Sequence, residues 1–212
     1  YAIFADYFRY KLLLDLGGWW SDLDAVCLRP YDFGLPYVFI NEITRENTDR
    51  VANGIIKCPP NSPIMEFCYS VVKETIQAHK IDQWGQTGPK LLANAIKKFK
   101  LDKYIVPSEF FIPFGYFEIE KIISGRITST EKAKVNTAYS VHLFNSMWEI
   151  KQFPKHGFFQ KSSLFEEYKQ KFGVKNSAPK LIFELLNDLW SNPLRLGLRK
   201  IIEKVNWGFH FF

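Results

Sequence analysis

Three features of the sequence predict an α/β fold. Short apolar strand candidates alternate with segments of helical period, the pattern of chains that place helices against a sheet. The composition, 47% hydrophobic and 24% charged, is that of a globular chain and excludes a disordered or fibrous one. The 212 residues suffice for one sizeable domain and are too few for two ordinary ones. The strands are few and short, so a modest sheet with many helices around it is expected.

Residues 2–16 have helical spacing, with Ile3, Phe4, Tyr7, Phe8, Leu12 and Leu16 along one side. Gly17-Gly18 ends that helix, because glycine takes the left-handed conformation a helix C-terminus commonly needs. Trp19-Trp20 reads as a short strand entering Ser21-Asp22-Leu23-Asp24, and Ala25 to Leu28 as apolar chain leaving it. Tyr37 to Ile40 and Gly54 to Ile56 are further strand candidates. Ser62-Pro63 starts a helix, with Ser62 as cap and Pro63 in the first turn. Gly88-Pro89 opens another, through about Phe99. Tyr104 to Val106 and Tyr139 to Leu143 have strand character. Ser163-Leu164-Phe165-Glu166 has capping-box spacing, and Pro179 to Trp190 and Pro193 to Val205 suggest two last helices.

Charge is unevenly spread. Residues 1–120 carry 13 Lys and Arg against 15 Asp and Glu, net −2, whereas residues 121–212 carry 15 against 7, net +8. Such a basic C-terminal part suits an anionic membrane face, an anionic substrate, nucleic acid, or only water. Apolar stretches are broken by charge before the roughly 20 residues a membrane-spanning helix needs. The start, Tyr1-Ala2-Ile3-Phe4-Ala5-Asp6, has neither the basic region nor the cleavage site of a signal peptide. Three cysteines without ligand-like spacing suggest neither a disulfide framework nor a zinc site, and point to a reducing compartment.

Asp22-Leu23-Asp24 is the leading chemical feature. In an extended strand, residues two apart share a face. Two carboxylates there repel, and raise one another's pKa, unless a cation lies between them. Oxygen ligands suit Mg²⁺ or Mn²⁺, ions that commonly bridge to phosphate. A D-x-D alone is also compatible with a solvated turn. Here it follows Gly-Gly-Trp-Trp and a largely apolar helix, which places it at a strand end.

The run Ala5-Asp6-Tyr7-Phe8-Arg9-Tyr10-Lys11-Leu12-Leu13-Leu14, followed by Gly17-Gly18-Trp19-Trp20-Ser21-Asp22-Leu23-Asp24 and Leu28-Arg29-Pro30, resembles the sugar-binding region of DXD-containing glycosyltransferases. The likeness is to glycosyltransferase family 32 and capsular-polysaccharide-synthesis enzymes of that type, and more distantly to clostridial glucosylating toxins. Asn53-Gly54-Ile55-Ile56, Gly85-Gln86-Thr87-Gly88-Pro89 and His142-Leu143-Phe144-Asn145-Ser146-Met147-Trp148 continue it in order. The resemblance implies a GT-A type fold over residues 1–212 as one catalytic domain. Residues 1–150 would be its donor- and metal-binding core and 151–212 a basic helical C-terminal part. It also implies that the chain starts inside a helix of a longer polypeptide and lacks part of the N-terminal nucleotide-binding unit.

The implied activity is transfer of a sugar, with retention, from a nucleotide-sugar donor, foremost a UDP-sugar, to a glycan or lipid-linked acceptor. The implied cofactor is Mn²⁺ or Mg²⁺ at Asp22, Asp24 and His142, with Asp24 binding directly and Asp22 through water or the donor. Asp6 and Arg9 are the implied grips on donor-sugar hydroxyls, and Trp20 the aromatic beside the donor. Asn145 and Trp148 match positions near the diphosphate. Nucleic acid is not an expected partner. The implied setting is cytoplasmic, with peripheral contact at the inner membrane face, or the Golgi lumen if an upstream segment carries a membrane anchor. Pro193 to Val205, with basic and apolar sides before Trp207-Gly208-Phe209-His210-Phe211-Phe212, is the candidate surface helix. Two other classes remain open on sequence: a haloacid-dehalogenase-like phosphatase, whose D-x-D-x-[TV] pattern Asp22 to Val26 satisfies, and a non-catalytic carbohydrate-binding module, suggested by 17% aromatics.

Overall fold

In the computed structural model, residues 2–45, 50–78, 85–154 and 159–175 are described. The helices expected over 179–190 and 193–205, and the aromatic tail, lie outside these residues. The expected α/β class is observed. The chain runs α1 (Ala2–Leu16), β1 (Gly18–Ser21), β2 (Ala25–Cys27), β3 (Val38–Glu42), β4 (Arg50–Cys58), α2 (Pro63–Gln77), α3 (Pro89–Lys98) and β5 (Ile105–Val106). It continues through α4 (Ile119–Ser124), α5 (Ser129–Thr137), β6 (Ser140–His142), α6 (Asn145–Ile150) and α7 (Leu164–Lys171). Short 3-10 turns at Asp102–Tyr104, Ser108–Phe110 and Tyr116–Glu118 connect the middle.

Two compact units result. The first comprises Tyr1–Ile119 and Thr128–Asn145, and the second Glu120–Ile127 and the chain from Ser146 onward. In the first, a four-stranded sheet has the order β1-β4-β3-β5, with β1 and β3 antiparallel to β4 and β5 parallel to β3. A separate antiparallel pair joins β2 to β6. Tyr10 and Leu13 of α1, Ile64, Met65, Cys68 and Val72 of α2, and Leu92, Ala95 and Ile96 of α3 form one core with Phe39 and Ile56 of the sheet. Burial pushes the Cys58 and Cys68 thiols up to about 12, so both stay protonated, while Cys27 is exposed. In the second unit, Trp148 is buried, its ring against Phe153, Phe159 and Phe165. No described helix is long and apolar enough to cross a membrane.

The face of α1 differs from expectation. Phe4 is 67% exposed, Phe8 48% and Leu16 70%, whereas Asp6, Arg9, Tyr10 and Leu13 are buried. The helix turns its charged pair inward because those two charges have partners inside, which apolar periodicity does not register. Ser62 also departs: its hydroxyl lies 3.4 Å from the Tyr37 hydroxyl and makes no cap, and its backbone carbonyl receives the Met65 and Glu66 N–H groups. Ser163 does cap, accepting from Glu166 N–H, but the Glu166 carboxylate turns to Phe159 N–H and Lys169, so the reciprocal half is not made.

Gly17 behaves as its sequence position predicts. It ends α1 at φ +62° and donates its N–H to the Leu13 carbonyl. A Cβ there would lie 2.3 Å from Pro60 N. Gly17→Ala is therefore expected to destabilise the fold by about 2–4 kcal/mol, the left-handed strain adding to the clash. Urea unfolding checks this. A midpoint equal to wild type contradicts it.

Candidate active site

The D-x-D pair is positioned by two strand pairings at once. Asp22 extends the β1–β4 ladder by one bond, its N–H reaching the Gly54 carbonyl at 2.7 Å. The chain then turns, with Ala25 N–H on the Asp22 carbonyl at 3.1 Å, and enters β2. The pair thus sits on a tight turn and not along an extended strand. Leu23, at the tip, is fully exposed at 106%. The β2–β6 pairing sets Ala25 opposite His142, and Leu143 N–H donates to the Asp24 carbonyl at 2.8 Å. That register carries His142 to the turn.

One ligand atom from each of Asp22, Asp24 and His142 lies within 4.8 Å of the others. His142 Nε2 is 3.3 Å from Asp24 Oδ1, and the Asn145 backbone N–H donates to Asp24 Oδ2 at 2.8 Å. The Asn145 contribution is therefore a main-chain one, and its side chain is exposed. Phe144, held at φ +50°, donates its N–H to His142 Nδ1 at 3.1 Å, with the two rings 4.4 Å apart. Gly54 leaves the space between these groups open: a Cβ there would stand 3.0 Å from Asp22 Oδ2 and 3.3 Å from His142 Nε2.

The other half comes from α1. Arg9 Nη1 donates to Asp6 Oδ1 at 2.6 Å, and Nη2 to Asp22 Oδ1 at 2.8 Å. Asp6 and Arg9, at i and i+3, are 8% and 4% exposed. Trp20 packs under this bridge, its indole N–H donating to Asp22 Oδ1 at 2.7 Å and its ring centre 5.1 Å from the Arg9 guanidinium. Arg9 is thus the cation beside Asp22, a partner the bare motif does not reveal. Burial pushes the Asp6 carboxyl up, against the opposing pull of Arg9 and the Thr87 hydroxyl. Arg9 Nε is buried without a hydrogen-bond partner among the described residues. The two ion pairs offset that cost.

These donors suit a hard divalent ion. Both hydrogen bonds to Asp22 end on Oδ1, so Oδ2, at the edge of the Gly54 gap, remains as a ligand. Because His142 Nδ1 accepts a hydrogen bond, the neutral ring carries its proton on Nε2. Ligation through Nε2 requires that proton to move to Nδ1 and the Phe144 bond to open, at about 1 kcal/mol. The carboxylates fit as they stand, and the imidazole after this tautomer change.

Trp148, the remaining sequence candidate, belongs to the second unit and its aromatic cluster. Asn53 and Thr87 carried no individual role in the sequence reading, yet both hydrogen-bond to Asp6, at 2.9 and 2.8 Å. Their signal was membership in the Asn53-Gly54 and Gly85-to-Pro89 blocks, which flags a position without saying what it touches.

Among solved structures, a chain titled PaToxG Glycosyltransferase is similar at 17% identity and a TM-score of 0.40. The match covers 71% of this chain and 54% of that one. No curated protein sequence matches. The family model for the alpha 1,4-glycosyltransferase conserved region matches residues 60–172, which include Thr87, His142, Asn145 and Trp148 and begin after the Asp22–Asp24 turn. Spanning more than half of the 212 residues, that match shows that the chain belongs to the alpha 1,4-glycosyltransferase family.

Proposed function

We propose that this protein is a metal-dependent, retaining glycosyltransferase of GT-A type, taking a sugar from a nucleotide donor, foremost a UDP-sugar, to a glycan or lipid-linked acceptor. The observation that carries the reading is the meeting of Asp22, Asp24 and His142 with the Asp6–Arg9 pair inside one compact unit. Asp22 Oδ2, Asp24 and, after its tautomer change, His142 would hold Mn²⁺ or Mg²⁺. Such an ion, when bound, supplies Lewis-acid stabilisation of charge developing on the donor diphosphate. Arg9 holds Asp22 Oδ1 and so fixes which carboxylate oxygen is left for the ion. Asp6, Arg9 and Trp20 form the side of the site that would meet the donor sugar, where paired charges can exchange hydrogen bonds with hydroxyls. Asn145 holds the Asp24 carboxylate through its main-chain N–H. The part of Trp148 near a diphosphate belongs to the same reading and rests on the resemblance alone. So do a cytoplasmic or membrane-peripheral setting and contact of residues 193–212 with an anionic surface.

The test is a panel of sugar nucleotides with Mn²⁺, with and without EDTA, following release of free sugar. The expected result is hydrolysis of one or a few donors, lost with chelator and restored by added Mn²⁺. Undiminished hydrolysis in EDTA overturns the metal-dependent mechanism, and hydrolysis of none overturns the enzymatic reading.

A further inference from the structure

Asp6 is gripped from three separate stretches of chain. Its Oδ1 accepts from Arg9 Nη1 at 2.6 Å and Asn53 Nδ2 at 2.9 Å, and its Oδ2 from Thr87 Oγ1 at 2.8 Å. Arg9 shares α1 with it, Asn53 lies on β4, and Thr87 lies in the turn before α3. Asp6 and Thr87 are 8% and 6% exposed, so water does not substitute for a lost bond without rearrangement.

The turn is fastened closely to this carboxylate. The Gly88 carbonyl accepts from the Tyr10 hydroxyl at 3.3 Å, one helical turn beyond Asp6 on α1. A Cβ at Gly88 would fall 2.6 Å from Asn53 Nδ2 and 3.1 and 3.2 Å from the two Asp6 oxygens. Residue 88 is glycine because the backbone itself occupies the space beside the carboxylate. Gly88 is also the N-cap of α3, so the positive end of that helix lies beside an anion.

The consequence reaches the reactive end of the site through one side chain. Arg9 bridges Asp6 Oδ1 and Asp22 Oδ1, so the carboxylate angle at Asp6 sets the plane of the guanidinium. With the Trp20 indole N–H, that guanidinium holds Asp22 Oδ1 and leaves Oδ2 open. Burial by itself pushes the Asp6 carboxyl toward its neutral form, in which it holds Arg9 poorly, and the Thr87 donor opposes this.

We propose that Thr87 and Asn53 are positioning residues for glycosyl transfer, holding the Asp6 carboxylate in the orientation that aims Arg9 at Asp22. Resting on the glycosyltransferase reading for its consequence, the inference concerns two residues whose side chains hydrogen-bond Asp6 and act through it. Thr87→Val removes the donor at nearly constant shape, and Thr87→Ser restores it. Asn53→Ala removes the second donor independently.

Two readouts test it on the full chain. In sugar-nucleotide hydrolysis, Thr87→Val and Asn53→Ala are expected to lower kcat/KM about 10–100-fold, and Thr87→Ser to stay within a few-fold of wild type. In ¹³C NMR of the carboxyl groups, which needs no activity, Thr87→Val is expected to move the Asp6 titration midpoint up and Thr87→Ser to return it. Wild-type kinetics in both donor-deleted variants overturns the proposal, as does a Ser variant as impaired as the Val variant. An Asp6 midpoint unmoved by Thr87→Val also overturns it. If wild-type protein hydrolyses no sugar nucleotide, the functional reading fails, and the carboxyl titration still decides whether Thr87 governs Asp6.

Discussion

Asp24→Asn is expected to lower donor hydrolysis by about 10³-fold or more while leaving the melting temperature within a few degrees of wild type. The substitution keeps one oxygen to accept from Asn145 N–H and sets an amide NH2 against His142 Nε2, to which it donates once the imidazole proton moves to Nδ1, so the turn persists, but it removes the negative charge an ion needs. Asp22→Asn is expected to cost as much activity and, in addition, about 1–2 kcal/mol of stability. Considered as a bare pair of carboxylates, Asp22 and Asp24 would repel, and removing one charge would relieve the fold. In the folded protein Asp22 instead accepts from Arg9 and Trp20 on one oxygen, so neutralising it weakens a charge-assisted bond to a buried guanidinium. Thermal melting of both variants beside the hydrolysis assay checks the contrast. An Asp22→Asn protein more stable than wild type contradicts it.

Arg9→Lys is expected to lower kcat/KM by about 10²-fold and to destabilise the protein by about 2 kcal/mol. Arginine reaches two carboxylates with two different nitrogens, Nη1 to Asp6 and Nη2 to Asp22, while its guanidinium carbon lies over the Trp20 ring. A lysine ammonium is a single point of charge and leaves one of the two carboxylates without its partner. Arg9→Met removes both pairs and is expected to cost about 3–5 kcal/mol, the cost of leaving buried charge unpaired. Denaturant unfolding ranks the three proteins, and hydrolysis kinetics separates aim from stability. A lysine variant with full turnover shows that the bridge is only structural.

Much of the frame was legible locally. Gly17 announces the end of α1 and Pro63 and Pro89 the starts of α2 and α3, because each residue acts through its own backbone dihedral. The strands were found where β-branched and aromatic residues cluster, although β4 runs from Arg50 to Cys58, longer at both ends than its Gly54-to-Ile56 core. Nothing in residues 107–137 predicted the short turns, α4 and α5, although Thr128 and Glu131 there make a complete capping box. Elements of so few residues hold too little periodicity to be told from loops.

The sequence by itself determined the α/β class, both ends of α1 and α3 and the start of α2, and it named Asp6, Arg9, Trp20, Asp22, Asp24 and His142 as one candidate set. The class, the helix ends and the Asp22–Asp24 pair follow from short-range chemistry, whereas Asp6, Arg9, Trp20 and the distant His142 joined the set only through the family resemblance. Tertiary structure alone decided which face of α1 is buried, since a charged pair goes inward only where distant partners receive it. It also decided that Asp22 and Asp24 converge by a turn closed by the β2–β6 pairing, not by strand alternation. The same holds for Asn53 and Thr87, 47 and 81 residues from the Asp6 they hold. A hydrogen bond at that separation depends on the whole core packing α1 against α2 and α3 against β4. No local pattern encodes it.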